Sequence, residues 1–202
     1  MPGLFEPAPA VPGGAAVALD EIEISILRSL TVQLLELIGP GGEPAGGDGG
    51  EVDPLAALLA DGPTEPPADP ALARLFPDAY GGPGAEPDER ARAAAAEFRR
   101  YTENDLRARK REDGLAVVRA LDALTPGGDG GAVLTLAPGQ SRQWLGALND
   151  LRLALGVRLE IADDKDGDRL YALPDEDPRK PMAMAYLWLG ALQESLVETL
   201  MG

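Results

Sequence analysis

The side chains able to do chemistry fall in three places along this 202-residue chain. The first is a run of cations, Arg107, Arg109, Lys110 and Arg111, in the stretch RARKR. Such a cluster suits phosphates or an acidic protein surface. Acids at helical spacing around it also fit a solvated, salt-bridged helix face. The second is the acidic group Asp163, Asp164, Asp166 and Asp168 around Gly167, which invites a calcium-loop reading. With Gly167 as the central glycine, the first and twelfth positions are Ala162 and Leu173, and neither is a ligand. A polar turn is therefore expected there and no metal site. The third is Arg152, with Asn149 and Asp150, inside the apolar stripe Trp144, Leu148, Leu151, Leu155 and Leu159. A guanidinium on a packed face needs a partner, since burying an unpaired charge costs several kcal/mol. Glu23, which lies in the apolar sector of an earlier helix, is the first candidate, although a capping role competes for it. Glu23, Asn149 and Arg152 are accordingly read as a structural polar network.

Other chemistry is excluded by composition. The chain has no histidine and no cysteine, so imidazole acid-base work, thiol redox sensing, disulfides and Cys or His zinc sites are absent. The Gly-rich runs at 41–50 and 127–131 lack the G-K-[ST] of a phosphate loop. Trp144 and Trp188 stand at helical spacing among leucines and are read as core. With no nucleophile-base pair and no ligand set, the expectation is a protein that is not an enzyme and needs no cofactor. The formal charge of −16 argues against direct nucleic-acid binding and against an anionic membrane. Against that background, positions 90 to 119 carry nine basic and five acidic residues, a local excess of four positive charges. This asymmetry makes Arg107, Arg109, Lys110 and Arg111 the candidate partner-binding residues.

Helices must position these groups. Asp20 with Glu23 forms a capping-box pattern opening a helix that stops at Gly39-Pro40. Residues 41–70 read as a flexible linker with a short amphipathic insert at 53–60. Asp69 before Pro70 caps a short turn anchored by Leu72, Leu75 and Phe76 and limited by Pro77, and a long basic helix is expected from about 88 to 124, with a possible break at Gly114. Val133 to Leu136 is β-prone and could pair with 169–173. The organising helix at 144–161 and a last helix over about 182–200, with Gln193 in its apolar stripe, complete the core. Residues 1–16 are rich in Pro, Gly and Ala and read as a disordered tail, leaving 17–202 as one domain. The fold class is all-α, a single-domain helical bundle with long Gly/Pro-rich linkers and at most a minor two-stranded extended element. With no signal-peptide pattern and no apolar run long enough to span a membrane, a cytoplasmic location is expected.

At LRSLTVQLLELIG, DPLAALL, DPALARLFPDAY, FRRYTENDLR, WLGALNDLRLALGVRLEI and YLWLGALQESLVETL, the chain resembles the actinobacterial DUF2017 family. The resemblance covers nearly the whole chain apart from the N-terminal tail and the linkers. It implies a regulator of the oxidative-stress response that acts by protein contact with a sigma factor or RNA polymerase. A sensing disulfide is ruled out here by the missing cysteines. Alternatives left open are a helical adaptor linked to Clp proteolysis and a homodimer formed through an exposed helix face.

Overall fold

A computed structural model describes residues 3–40, 62–80, 88–125, 127, 130–162 and 164–202. Strands β1 (Glu6–Pro7) and β2 (Ala15–Asp20) lead into helix α1 (Glu21–Ile38). Then follow α2 (Pro70–Leu75), the long α3 (Glu89–Asp122), strand β3 (Gly131–Leu136), α4 (Pro138–Arg158), α5 (Asp164–Tyr171) and α6 (Lys180–Met201). The molecule is mostly helical, with one small antiparallel sheet in the order β1-β2-β3.

Local chemistry sets the helix starts. Asp20 accepts the Glu23 amide at 2.7 Å while the Glu23 carboxylate accepts the Asp20 amide at 2.9 Å, so the capping box opens α1. Asp69 accepts the amides of Ala71 and Leu72, with Pro70 pre-set for the first helical position of α2. Asp88 does the same for Ala91 at the head of α3.

The core forms where α4 meets α1, α3 and α6. Trp144, Leu148, Leu151 and Leu155 of α4, with Leu159 just beyond it, are all buried, as the stripe requires. From α6, Leu189, Leu192 and Leu196 close against them, and Leu27, Leu34 and Ile38 of α1 complete the cluster.

Four expectations need correction. The N-terminal stretch is not a loose tail: Phe5 is buried edge-to-face on Trp144 with ring centroids 6.1 Å apart, and its amide donates to Ser195 Oγ. In β2 the burial alternates, with Ala15, Val17 and Leu19 inward, and the strand pairs with both β1 and β3, so the extended element has three strands where at most two were expected. Strand β3 pairs antiparallel with β2, from Ala15 opposite Leu136 to Asp20 opposite Gly131, whereas Arg169 to Tyr171 lie in α5. Finally, α3 runs unbroken through Gly114, because that glycine lies against Leu35 and Thr31 of α1 and lets the two helices approach closely. The insert expected at 53–60 lies outside the described residues.

Candidate interaction surface

The basic run lies on α3, and three of its four cations are held within the molecule. Arg107 donates to the Ile38 carbonyl and, at 2.6 Å, to Glu103, and its guanidinium lies 4.3 Å above the Phe76 ring. Arg111 donates to the Gly39 carbonyl at 2.6 Å and to the Leu35 carbonyl at 3.4 Å. Helix α1 has no basic residue in its own last turn, so Arg107 and Arg111 satisfy its terminal carbonyls and meet the negative end of its dipole. Lys110 turns the other way and pairs with Asp150 of α4 at 2.6 Å. The run RARKR is thus a clamp joining α3 to α1 and α4. Arg109 alone of the four is exposed.

This corrects the picture of a free cationic patch. The pattern of acids around the run left open whether it faced solvent or a partner, but helical spacing cannot reveal carbonyls contributed by another helix. The nearest signal in the sequence was the absence of any cation near the end of α1.

A second set of charges braces the first half of α3. Buried Arg99 pairs with buried Glu103, donates to the Phe76 carbonyl at 2.9 Å and meets Asp78 at 2.8 Å. Sequence reading missed Arg99 and Glu103 as a core pair. Their i, i+4 spacing also fits a surface pair, and nothing in the local pattern distinguishes the two.

The carboxyl of Asp150 is pushed up by burial, which the Lys110 hydrogen bond and charge partly offset. Asp113 is also raised, chiefly by burial, with Arg109 pulling down and the Asp150 charge pushing further up. Asn149 is exposed, and its side chain hydrogen-bonds the Asp150 carboxyl.

Glu23 is committed to the capping box and does not reach Arg152. Arg152 instead donates to Gln193 Oε1 of α6 at 2.7 Å and sits 5.2 Å over the Tyr186 ring. Glu23, Asn149 and Arg152 therefore occupy three separate environments and do not form one network.

The outward side of α3 has a different character. At about 100° per residue, Phe98, Tyr101, Leu106 and Arg109 fall on one flank. Phe98 is 47% exposed, Tyr101 63% and Leu106 39%; Tyr80, 48% exposed, stands edge-to-face with Phe98 at 6.1 Å. Aromatic rings with an arginine are the residue types that anchor protein contacts. Among the described residues no group of three or more acidic side chains is placed to hold a metal ion, and no helix is long and apolar enough to cross a membrane.

Fold and surface together define a mostly helical single-domain protein whose cationic helix is clamped from inside and aromatic on its outward flank. A match to the family model over residues 5–200 shows that the chain belongs to the DUF2017 family, described as a domain of unknown function. It is similar to the oxidative stress regulator AosR of Mycobacterium tuberculosis, with 31% identity over 185 residues, covering 89% of this chain and 79% of the relative. The AosR of Mycobacterium bovis matches with the same identity and coverage. No solved structure matches.

Proposed function

We propose that this chain is a non-enzymatic, cytoplasmic regulator of stress-response transcription that acts by protein-protein contact, with a sigma factor or RNA polymerase as its partner. The relatives named as oxidative stress regulators support the regulatory part of this reading. The contact part rests on the outward flank of α3. Tyr80, Phe98 and Tyr101 stand exposed together there, in a chain with only two Trp, four Tyr and three Phe. Leaving scarce large rings in water on a rigid helix forgoes their burial, which is worth about 1.5 to 3 kcal/mol for a side chain such as Phe. A partner that covers them recovers that free energy. Because the chain has no cysteine, its trigger is not a disulfide.

The test is a crosslinked pull-down of the tagged chain from its own cells, with and without oxidant, read by mass spectrometry. Recovery of a sigma factor or polymerase subunits in both conditions is the expected result. Recovery of Clp components alone would replace the regulator with a proteolysis adaptor, and recovery of the chain alone would favour a homodimer.

A further inference from the structure

Arg152 differs from the other cations drawn into the body of the molecule. Arg99, Arg107 and Lys110 each meet a carboxylate, and Arg111 meets the carbonyl end of a helix. Arg152 is half-buried, yet its described partners are both neutral: the Gln193 amide oxygen and the Tyr186 ring. A Cβ at Gly190 would lie 3.5 Å from Arg152 Nε and 3.7 Å from its Cζ, so the guanidinium packs beside α6 at that point. Its Nε–H is covered and has no acceptor among the described residues. An arginine keeps its charge at any physiological pH, so this charge is fixed in place, with no ion-pair partner among the described residues.

Two open depressions, of about 640 and 390 Å³, meet at Arg152 and share the walls Tyr171, Tyr186 and Leu187. Glu194 and Glu198 stand on the rim of the larger one and disfavour an anion there. The smaller one adds Arg74 from the end of α2, the apolar side chains of Val157 and Ile161, and Ala162 and Gly167. Tyr171, 66% exposed, overhangs both.

We propose that the smaller depression, between Arg152 and Arg74 under Tyr171, binds a carboxylate carried on a flat apolar body. The planar guanidinium offers the fork that a carboxylate matches, and the tyrosine rings and aliphatic wall take the apolar part. The apolar wall beside the two guanidiniums favours a carboxylate on an organic body over inorganic phosphate. This site lies apart from the α3 flank and does not depend on the regulator reading.

The test uses the full chain and isothermal titration with phenylacetate, its uncharged amide, inorganic phosphate, and a short peptide ending in phenylalanine as free acid and as amide. Gln193→Glu supplies an internal carboxylate to Arg152 without removing any packing, and a thermal melt confirms that the variant is folded. The wild-type chain is expected to bind phenylacetate and not its amide. Gln193→Glu is expected to weaken that binding by about tenfold or more, and Tyr171→Ala to weaken it without shifting the melt. Tighter binding of the free-acid peptide than of phenylacetate would identify a protein chain end as the source of the carboxylate. Preference for phenylacetate would identify a small organic acid. Equal binding of acid and amide, preference for phosphate, no binding at millimolar ligand, or full binding by folded Gln193→Glu would each overturn the proposal.

Discussion

At the scale of single residues, charge in this protein is placed by what it satisfies. Arg111 meets the Gly39 carbonyl at the end of a helix that has no cation in its own last turn. Arg111→Ala should therefore lower stability by about 1 to 2 kcal/mol, read as a shifted denaturant midpoint at unchanged slope. An unmoved midpoint would mean that water satisfies those carbonyls equally well. Asp113 gives a test through pH. Burial raises its carboxyl, so its folded-state value lies above its unfolded one. Between those values the folded chain holds more protons than the unfolded chain, and the contribution of Asp113 to stability falls as pH rises through that window. Asp113→Asn should remove the fall. Its advantage in melting temperature over the wild type should grow as pH rises through that window and level off above it. Parallel curves for the two proteins would contradict the assignment. The roles of these residues were only partly legible in the sequence. Asp20 with Glu23 could be read because a capping box is local, spanning three residues. The clamp of Arg107 and Arg111 could not, because its acceptors are main-chain oxygens about 70 residues away.

At the scale of elements, long periodic segments were legible and short ones were not. The stripe from Trp144 to Leu159 repeats over more than four turns, and it marked α4 and its buried face correctly. Strand β2 has only six residues, three of them alanine, so its alternation of inward Ala15, Val17 and Leu19 is hidden in an apolar run that also fits a helix start. The Pro and Gly content of the first sixteen positions pointed to disorder. Phe5 outweighs it by packing on Trp144, and its amide is tied to α6 through Ser195. Gly114 looked like a break in α3, yet it is where α3 approaches α1. A Cβ there would sit 3.0 Å from Leu35 Cδ2 and 3.7 Å from Thr31 Cγ2. Gly114→Val should destabilise by about 2 kcal/mol or more through overpacking and the lower helix propensity of a branched side chain. Gly114→Ala should come closer to neutral, because its gain in helix propensity offsets the push on a flexible leucine. Equal melting temperatures for Gly114→Val and the wild type would show that the two helices are not in contact at that point.

At the scale of the whole molecule, four of the nine cations that make α3 basic, Arg99, Arg107, Lys110 and Arg111, are turned inward, while Arg90, Arg92, Arg100, Arg109 and Arg119 stay exposed in a chain of net charge −16. On its outward flank α3 exposes Phe98, Tyr101, Leu106 and Arg109 with Asp105 among them, and Tyr80 lies beside Phe98. The cationic run was legible in the sequence but the direction of each side chain was not, since composition counts cations without showing where they point. If this flank carries the regulatory contact, apolar burial drives most of the binding, with Arg109 adding orientation. The most direct measurement is capture of purified RNA polymerase and its purified stress sigma factors by the immobilised chain. Wild type is compared with Phe98→Asp, Tyr101→Asp and Arg111→Ala, after a melt confirms that each is folded. The account predicts that the wild type and Arg111→Ala retain one of these partners, while Phe98→Asp and Tyr101→Asp lose it. Capture that survives both aspartate substitutions, or failure of the wild-type chain to hold any of these partners, would contradict it.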